Sequence, residues 1–416
     1  MDNCFNTLAV VGTAWGDEGK GKFTDFYASN SDIVVRSQGG NNAGHTIVVD
    51  GEKIALRTLP SGVVDKNRHI VNVIAAGCVV NPVQMVSELK SVVQYRHGDV
   101  PTVYLSKYAH VITVFHKLMD AHIEDVRRYK VKTTGNGIGP CYASKMFRVG
   151  LRVEDLALSY DEIWAKLREL VSVFGLVVTE DEIAAETKAL MEAYEYLEEN
   201  VKIIDESPYL TECIERGMGV LFEGAQGALL DIDRGDYPYV TSSSPTAASI
   251  PQNCGIAPRY INEVCGVVKA YATRVGTGTF DTEIDDEVAV YIRERGHEYG
   301  TVTGRPRRIG WLDLCAIEKA VRINGITHIV LTLLDVLTGL ENIKIHYYDK
   351  ELGKVVDKWF VGWHTDISRC KTYEELPFEA RHYIEFIENK LGVPIKYISV
   401  GPDREQTIEK PKSSNF

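Results

Sequence analysis

The sequence lacks any apolar run long enough to cross a lipid bilayer, and this limits the class of protein to which it can belong. A spanning helix needs roughly 18 or more apolar residues in succession, whereas the mean hydropathy of the 416 residues is −0.13. The first residues, MDNCFNTLAVVGTAWGDEG, contain a short apolar run with no basic region before it. Because a secretory signal has such a region, we expect neither a membrane span nor a signal peptide.

Closely spaced cysteines are also missing. No two of the eight cysteines stand at CxxC spacing, which argues against a zinc site or a redox pair. Scattered reduced thiols are typical of the cytosol, so we expect a cytoplasmic protein. The cysteines are Cys4, Cys78, Cys141, Cys213, Cys254, Cys265, Cys315 and Cys370.

An excess of basic residues is the third absence. The 46 Lys and Arg residues are outnumbered by 58 Asp and Glu residues, which gives a net charge of −12. Proteins that bind a nucleic-acid backbone depend on a basic surface, so we expect no nucleic-acid partner. A small phosphorylated ligand stays compatible with this charge, because a local basic cluster is sufficient to bind it.

Short β-branched runs alternate with segments of helical periodicity along the chain. This order predicts an α/β fold with a mostly parallel central sheet flanked by helices. We predict one domain over residues 1–416 with a helical insertion at about 154–200, where the chain is acidic. The predicted strands are 8–12, 32–37, 69–77, 219–224, 264–271 and 328–337, with IKIHYY and IKYISVG near the end, and the predicted helices are 82–95, 161–174, 180–199, 311–323 and 373–391.

The stretch VVGTAWGDEGKGKFTDF combines a strand with a glycine-rich loop and a lysine. Backbone N–H groups and the Lys20 ammonium suit a phosphate. It is not a Walker A loop, because six residues separate Gly12 from Gly19 and no Ser or Thr follows Lys20. Asp17 can take the place of that hydroxyl as a Mg²⁺ ligand. A solvated, charged surface turn is the alternative.

Four further loops, and a probable strand end at Asp335, carry clustered polar groups. SQGGNNAGHTIVV carries His45, which can donate a proton near neutral pH. Gln226 follows a strand, and Asp335 could accept the paired N–H groups of a guanine edge or, alternatively, cap a helix. TTGNGIGPCYASKMFRVGLR adds threonines and basic residues, and TGRPRR adds three arginines that suit carboxylate or phosphate. Each segment alone could be a solvated loop, but five such loops in one acidic protein indicate a site.

The motifs together resemble the adenylosuccinate synthetase family over essentially the whole chain. They are WGDEGKGK, GGNNAGHT, GNGIGP, FEGAQG, LLDID, YPYVTSS, KAYATRVGTG, TGRPRR, GWLD and SVGPDR, in the family's order. The resemblance implies a cytoplasmic homodimeric ligase of purine biosynthesis with a P-loop-GTPase-like architecture. It would join IMP to L-aspartate, with GTP as co-substrate and Mg²⁺ as cofactor, through a 6-phosphoryl-IMP intermediate.

The resemblance also implies a role for individual residues. Asp17 matches the catalytic base, His45 the general acid, Asp17 and the Gly44 carbonyl the metal ligands, and Arg148 an arginine that reaches the partner subunit's IMP. The implied nucleotide-binding residues are Gly16, Asp17, Glu18, Gly19, Lys20, Gly21, Lys22, Gly44, His45, Thr46, Arg307, Leu333, Leu334, Asp335, Ser399, Val400 and Gly401. The implied substrate-binding residues are Asn42, Thr134, Arg148, Gln226, Thr241, Thr301, Val302, Thr303, Arg305 and Arg307.

Several positions depart from the family's pattern. Ala14 replaces a glutamine, Asn136 an arginine, Val302 a threonine, and Leu333 the lysine whose stem packs on guanine. These changes leave open a related ligase with another triphosphate or purine nucleotide. A non-catalytic nucleotide switch is the alternative of another class, and it predicts a Walker A hydroxyl that is missing here. For Glu18 we predict a hydrogen-bonding role that fixes the loop.

Overall fold

Within the residues that the structure describes, the fold is built on a ten-stranded central sheet, accompanied by smaller sheets and eleven helices. The computed structural model describes residues 6–42, 44–49, 52–66, 69–128, 130–300 and 304–411. Its strands are β1 (Thr7–Gly12), β2 (Ile33–Arg36), β3 (His45–Val49), β4 (Glu52–Leu56), β5 (Val71–Ile74), β6 (Val79–Val80), β7 (Val103–Ser106), β8 (His110–Val111), β9 (Lys202–Ile204), β10 (Val220–Glu223), β11 (Glu263–Lys269), β12 (Ala272–Arg274), β13 (Glu283–Ile284), β14 (Arg308–Gly310), β15 (Leu312–Asp313), β16 (His328–Thr332), β17 (Asn342–Asp349), β18 (Lys354–Val361), β19 (Ile395–Ser399) and β20 (Thr407–Glu409). Its helices are α1 (Lys20–Ala28), α2 (Pro82–Tyr95), α3 (Val114–Val126), α4 (Ile138–Phe147), α5 (Tyr160–Val173), α6 (Glu180–Asn200), α7 (Glu206–Glu215), α8 (Ile250–Cys254), α9 (Glu287–Arg295), α10 (Leu314–Asn324) and α11 (Phe378–Leu391).

The central sheet is almost entirely parallel. Its strand order is β20-β19-β16-β11-β1-β10-β2-β5-β7-β9, and only the pair β19 and β20 is antiparallel. Parallel neighbours need crossover connections, which the helices between the strands supply. The predicted α/β class, with a mostly parallel sheet flanked by helices, is confirmed.

Both faces of the sheet are covered. On β1, Leu8 and Val10 pack in one buried cluster with Phe23 of α1, whereas Ala9 and Val11 belong to the main cluster on the opposite face. A strand that is buried on both faces reads as a continuous apolar run, which explains why β1 was recognisable in the sequence as LAVVG.

The carboxyl ends of the central strands bring the predicted functional loops to one edge. The connection after β1 leads to β2 on one side, whereas the chain after β11, the neighbour of β1, leads to β16 on the other side, and a crevice forms at such a point in open α/β sheets. Loops that follow β1, β2, β10, β11, β16 and β19 all leave from this edge. The fold thus positions one site at the middle of the sheet.

The predicted helical insertion corresponds to α5 and α6. A side-chain capping box at Thr179 and Glu182 starts α6, which then packs against α2 and α5. Immediately afterwards β9 joins the outer edge of the central sheet beside β7. This segment therefore shares a core with α2 and β7. No helix in the described ranges is both long and apolar enough to cross a membrane.

Several predicted elements have other bounds in the structure, and one predicted strand lies outside the central sheet. The strand predicted for 328–337 ends at Thr332, and a 3₁₀ turn covers Leu334–Leu337. IKIHYY lies in β17, which pairs with β18 and β15 outside the central sheet. The helix predicted from 311 begins at 314, because the Asp313 side chain accepts from two backbone N–H groups there. The helix predicted from 373 begins at Phe378 after Pro377.

Candidate functional site

The loop between β1 and α1 is held in a backbone conformation that few residues adopt. Gly16, Asp17 and Gly19 have φ of +92°, +60° and +78°. The glycines meet this requirement without steric cost, but Asp17 does not, and such residues cluster at functional sites. Helix α1 starts directly afterwards at Lys20, so its N-terminal N–H groups add to the loop's capacity to bind an anion.

Glu18 supports this loop from inside. Its side chain is buried, and Oε1 accepts hydrogen bonds from the backbone N–H groups of Ala14 at 3.0 Å and Gly16 at 2.9 Å. Its Oε2 lies 2.5 Å from the Lys20 ammonium. A side chain at Gly12 would lie 2.5 Å from the same carboxylate, so glycine is needed there. The predicted loop-fixing role of Glu18 matches these contacts.

Asp17 points away from that interior and meets Arg307. Its side chain is 39% exposed, and Oδ2 lies 2.9 Å from Arg307 Nε. The other end of the guanidinium donates from Nη1 to Glu298 Oε2 at 2.6 Å. The first loop and the TGRPRR segment, 290 residues apart in sequence, therefore meet at one carboxylate.

The amides of Asn42 and Gln226 converge on the same crevice. A Cβ built on Gly39 would have Gln226 Oε1 at 3.8 Å and Asn42 Oδ1 at 4.0 Å. Gln226 itself has a φ of +62° and accepts from Ser243 Oγ at 3.5 Å. Amides that follow neighbouring strands β2 and β10 can read the polar edge of a heterocycle.

A second group forms where β16 and β19 end. The Lys22 ammonium donates to Ser399 Oγ at 2.8 Å, Gly401 O at 2.8 Å and Gln406 O at 2.9 Å. Burial lowers the pKa of Lys22 to about 8, while the charge of Asp335 acts in the opposite direction. Asp335, Ser399 and Gly401, predicted from sequence, thus lie around one lysine.

Asp335 carries a buried acceptor. Its Oδ1 has no hydrogen-bond partner among the described residues. Burial raises the pKa of this carboxyl, although the nearby Lys22 lowers it. Leu334 and Val400 are fully buried, so only their backbone groups can face a ligand. Leu333 has a φ of +57° and packs partly against the main core.

The roles of four further predicted residues stay predictions, and the structure gives their local positions. Thr134 is exposed in the segment before α4, and Thr241 follows a long loop after β10. Arg148 ends α4 with a φ of +64°, and it forms no ion pair with another described residue. Arg305 is exposed, and its carbonyl accepts from Gly300 N at 2.8 Å.

Other predicted positions are only partly covered. His45 and Thr46 lie in the backbone of β3, Gly44 precedes them, and the placement of the two side chains is not described. Thr301, Val302 and Thr303 lie outside the described residues. Their assigned roles stay predictions.

Three side chains that the sequence did not single out support the crevice. Asp236 accepts from Trp15 Nε1 at 2.7 Å and from Arg274 Nη1 at 3.2 Å, which ties the first loop to β12. Glu298 binds Arg307 from behind, as described above. Arg274 belongs to the motif KAYATRVGTG, whereas Asp236 and Glu298 have no recognisable local sequence signal.

Comparison with known proteins gives a consistent result. The family model described as adenylosuccinate synthetase matches residues 9–408. The adenylosuccinate synthetase of Limosilactobacillus fermentum is 44% identical over 429 aligned positions, which cover 97% of this chain and 98% of that protein. That of Halothermothrix orenii is 43% identical, with 98% and 99% covered.

Solved structures agree. The structure of fully ligated adenylosuccinate synthetase from Plasmodium falciparum superposes with a TM-score of 0.89 at 38% identity, and it covers 98% of this chain and 100% of that one. Succinoaminodeoxyadenylate synthetase of cyanophage S-2L, bound to dGMP and dATP, has a TM-score of 0.66 at 18% identity, with 98% and 96% covered. The second similarity concerns the fold alone.

Proposed function

The chain belongs to the adenylosuccinate synthetase family, and from this premise we propose how its residues carry out the family's reaction. That reaction is the GTP-dependent ligation of IMP and L-aspartate to adenylosuccinate, on the route to AMP. The protein is therefore a ligase that forms a C–N bond, and IMP, L-aspartate and GTP are its substrates. A non-catalytic nucleotide switch is excluded by this membership.

We propose that Asp17 is the base that removes the N1 proton of IMP. The observations that support this assignment are the ion pair of Asp17 with Arg307, and the Asn42 and Gln226 amides near Gly39, with the Gln226 backbone close to Gly16 of the first loop. Loss of the N1 proton makes O6 nucleophilic toward the γ-phosphate of GTP. Asp17 suits this task because its carboxylate is half exposed. The carboxylate of the adjacent Glu18 is buried and already accepts hydrogen bonds from the loop backbone.

The proposed phosphoryl transfer depends on positioning and on charge neutralisation. The loop N–H groups, the N-terminus of α1 and Lys20 would face the phosphates, and His45 would donate a hydrogen bond to the transferring group. The bond between the β- and γ-phosphates breaks, so the products of this step are 6-phosphoryl-IMP and GDP. In the second step the amino group of aspartate attacks C6 and phosphate leaves, while Arg305 and Arg307 hold the aspartate carboxylates.

The donor atoms of the first loop fit Mg²⁺ as the cofactor. Mg²⁺ prefers oxygen ligands and is commonly held by one or two carboxylates together with phosphate oxygens. Asp17 offers a carboxylate and Gly44 a carbonyl, and the exposed Gly44 has open space around its Cα. Within the described ranges, no group of three His, Cys, Asp or Glu side chains forms an alternative metal site. When bound, Mg²⁺ would offset the negative charge of the phosphates.

We assign guanine recognition to Asp335. Its buried Oδ1 lacks a partner among the described residues, and the N1–H and amino groups of guanine would satisfy this carboxylate. The turn at Ser399, Val400 and Gly401 lies next to it and offers backbone groups to the same base. Lys22 would hold this turn in place.

Leu333 supports a second candidate, a ligase with altered triphosphate preference. The experiment incubates the purified protein with IMP, aspartate, Mg²⁺ and either GTP or ATP, and follows absorbance as adenylosuccinate forms. We expect GTP to be the better donor because Asp335 accepts from guanine. Faster product formation with ATP would instead favour the second candidate.

A cytoplasmic homodimer is our proposal for the assembly. Arg148 stands beside Met146 and Phe147, which are 73% and 61% exposed. Large apolar side chains at this exposure are typical of surfaces that pack against a second subunit. Contact between two copies would bring Arg148 to the IMP phosphate of the partner. The described cysteines are all free thiols, in keeping with a reducing compartment.

A further inference from the structure

A chain of alternating charges runs from the crevice into the protein behind Arg307. Its four members are Asp17, Arg307, Glu298 and Lys269, which join through contacts of 2.9, 2.6 and 2.7 Å. The side-chain exposure falls along this chain from 39% at Asp17 to 11% at Arg307, 2% at Glu298 and 4% at Lys269. The exposed end is thus continuous with an ion pair that is fully enclosed by protein.

Hydrogen bonds hold the Glu298 carboxylate on the side that faces away from Arg307. Oε1 accepts from Lys269 Nζ at 2.7 Å and from the Tyr271 hydroxyl, and Lys269 donates in turn to Thr273 Oγ1 at 2.9 Å. Lys269 ends β11, a strand paired on both sides within the central sheet. The Glu298 carboxylate is therefore anchored to an interior strand of the central sheet.

Glu298 also fixes Arg307 through the backbone. Arg307 N donates to Glu298 O at 2.9 Å, while the side chains of the same two residues join Nη1 to Oε2. Glu298 binds the guanidinium through Nη1, while Nε lies 2.9 Å from Asp17 Oδ2 as an ion pair without hydrogen-bond geometry. An arginine held at two points has few rotamers left, which reduces the entropy lost when it binds a ligand.

The negative charge of Glu298 is needed to balance its two cationic neighbours, Lys269 and Arg307. Burial by itself would raise the pKa of Glu298, but the Lys269 charge, hydrogen bonds from Lys269 and Tyr271, and Arg307 keep that pKa below its ordinary value. A carboxylate between two cations offsets both. Removal of its charge would leave Lys269 and Arg307 close together with a single anion, Asp17, at the outer end.

We propose that Glu298, anchored by Lys269, is a positioning residue that holds the Arg307 guanidinium against the catalytic carboxylate of Asp17. Neither residue touches the reacting atoms; both act through Arg307. This inference rests on the proposed role of Asp17 as the base. An inactive wild-type protein, or an active Asp17→Asn variant, would refute the role of Asp17 as the base. The positioning role of Glu298 is tested separately, by comparing Glu298 variants with an active wild-type enzyme.

The test compares Glu298→Gln with a matched variant, Glu283→Gln. The control removes the charge of the Glu283 carboxylate, which pairs with Arg308, the residue next to Arg307. Glu283 lies in β13, and its side chain is more exposed than that of Glu298. We expect Glu298→Gln to lower kcat by about tenfold or more, and to change the Kd of IMP alone, measured by calorimetry, by less than about twofold. For Glu283→Gln we expect kcat within about twofold of wild type.

A double variant separates positioning from folding. Glu298→Gln should lower the Tm, because it leaves the buried Lys269 without its counter-charge. Lys269→Met combined with Glu298→Gln should regain most of that Tm while kcat stays low. The proposal is overturned if kcat of Glu298→Gln is within about twofold of wild type. It is equally overturned if the double variant regains kcat together with the Tm, or if Glu283→Gln loses as much activity as Glu298→Gln.

Discussion

Two adjacent carboxylates in the first loop have different surroundings and therefore different uses. Glu18 is enclosed by the backbone N–H groups of Ala14 and Gly16 and by Lys20. Asp17, one residue earlier, has a left-handed backbone that turns its side chain toward the crevice and Arg307. The sequence GDEGKGK thus carries a structural acid beside a proposed catalytic one, which residue type alone does not distinguish.

Loss of the Glu18 side chain should destabilise the protein. Glu18→Ala leaves two buried N–H groups and the Lys20 ammonium without their acceptor, so we expect the free energy of unfolding to fall by about 3 kcal/mol. Glu18→Gln keeps an acceptor and should cost less. Urea unfolding followed by circular dichroism measures both variants. Equal stability of Glu18→Ala and wild type would contradict the supporting role.

At the scale of elements, helices and strands followed largely from local pattern. Helix α2 has the predicted bounds, because Asn81 caps it, Pro82 fills its first position and its apolar residues recur with helical spacing. The strand before Asp335 was predicted too long, since apolar residues continue from β16 into the 3₁₀ turn. No local sequence signal marks the end of the strand. The strand ends where Leu333 adopts a positive φ, a conformation that the tertiary structure imposes.

The site was predictable only to the extent that single residues carry recognisable chemistry. Gly16, Asp17 and Lys20 follow a strand in a short motif, so their grouping was readable. The contact of Glu298 with Lys269 joins residues 29 positions apart, and neither position is unusual in its own segment. Long-range pairs of this kind depend on strand order, which the sequence pattern leaves undetermined.

Lys22 joins two elements, and its loss should affect GTP more than IMP. Its ammonium ties α1 to the turn after β19 through three acceptors. Hydrogen bonds to a charged group contribute about 1.5–3 kcal/mol, so we expect Lys22→Met to raise KM for GTP about tenfold. Initial-rate kinetics with each substrate varied in turn would measure this.

The matched control for that variant is Lys354→Met, which removes an exposed lysine from β18. Its KM values should equal those of wild type. An equal rise of the GTP and IMP KM values in Lys22→Met would contradict a local effect on the turn.

At the scale of the whole molecule, buried histidines should make the fold sensitive to acid. Burial lowers the pKa of His110 to about 4, of His116 to about 3 and of His328 to about 4. His116 Nδ1 accepts from Thr113 N at 3.0 Å, so a proton there would displace a helix cap. Because the unfolded state binds these protons near pH 6.5, the stability contributed by the neutral rings is present above that pH and is lost as the pH falls toward 4.

The expected loss is on the order of 3 kcal/mol for each histidine by pH 4. Urea unfolding at a series of pH values between 7.5 and 4.5 would measure it. His116→Asn should show a shallower pH dependence than wild type. A flat profile across this range would contradict the assignment of these rings as buried and neutral.

The proposed homodimer leads to a second prediction at this scale. If Arg148 acts across the interface, Arg148→Leu should raise KM for IMP, and an equal mixture of Arg148→Leu with Asp17→Asn should regain activity. Half of the reassembled dimers then hold one intact site, so about a quarter of wild-type activity is expected at an IMP concentration that saturates wild type but lies far below the raised KM of Arg148→Leu. Activity equal to the average of the two separate variants would indicate that Arg148 acts within its own subunit.

The measurement that tests the central claim most directly is adenylosuccinate formation by wild type and Asp17→Asn under the same conditions, with IMP, aspartate, GTP and Mg²⁺. The wild-type protein should form product, and the variant should be slower by a factor of about 10²–10⁴, the usual contribution of a general base. Its Tm should change little, because a half-exposed ion pair contributes about 1 kcal/mol or less. Absence of product from wild type, or near-equal rates of the two proteins, would contradict the account.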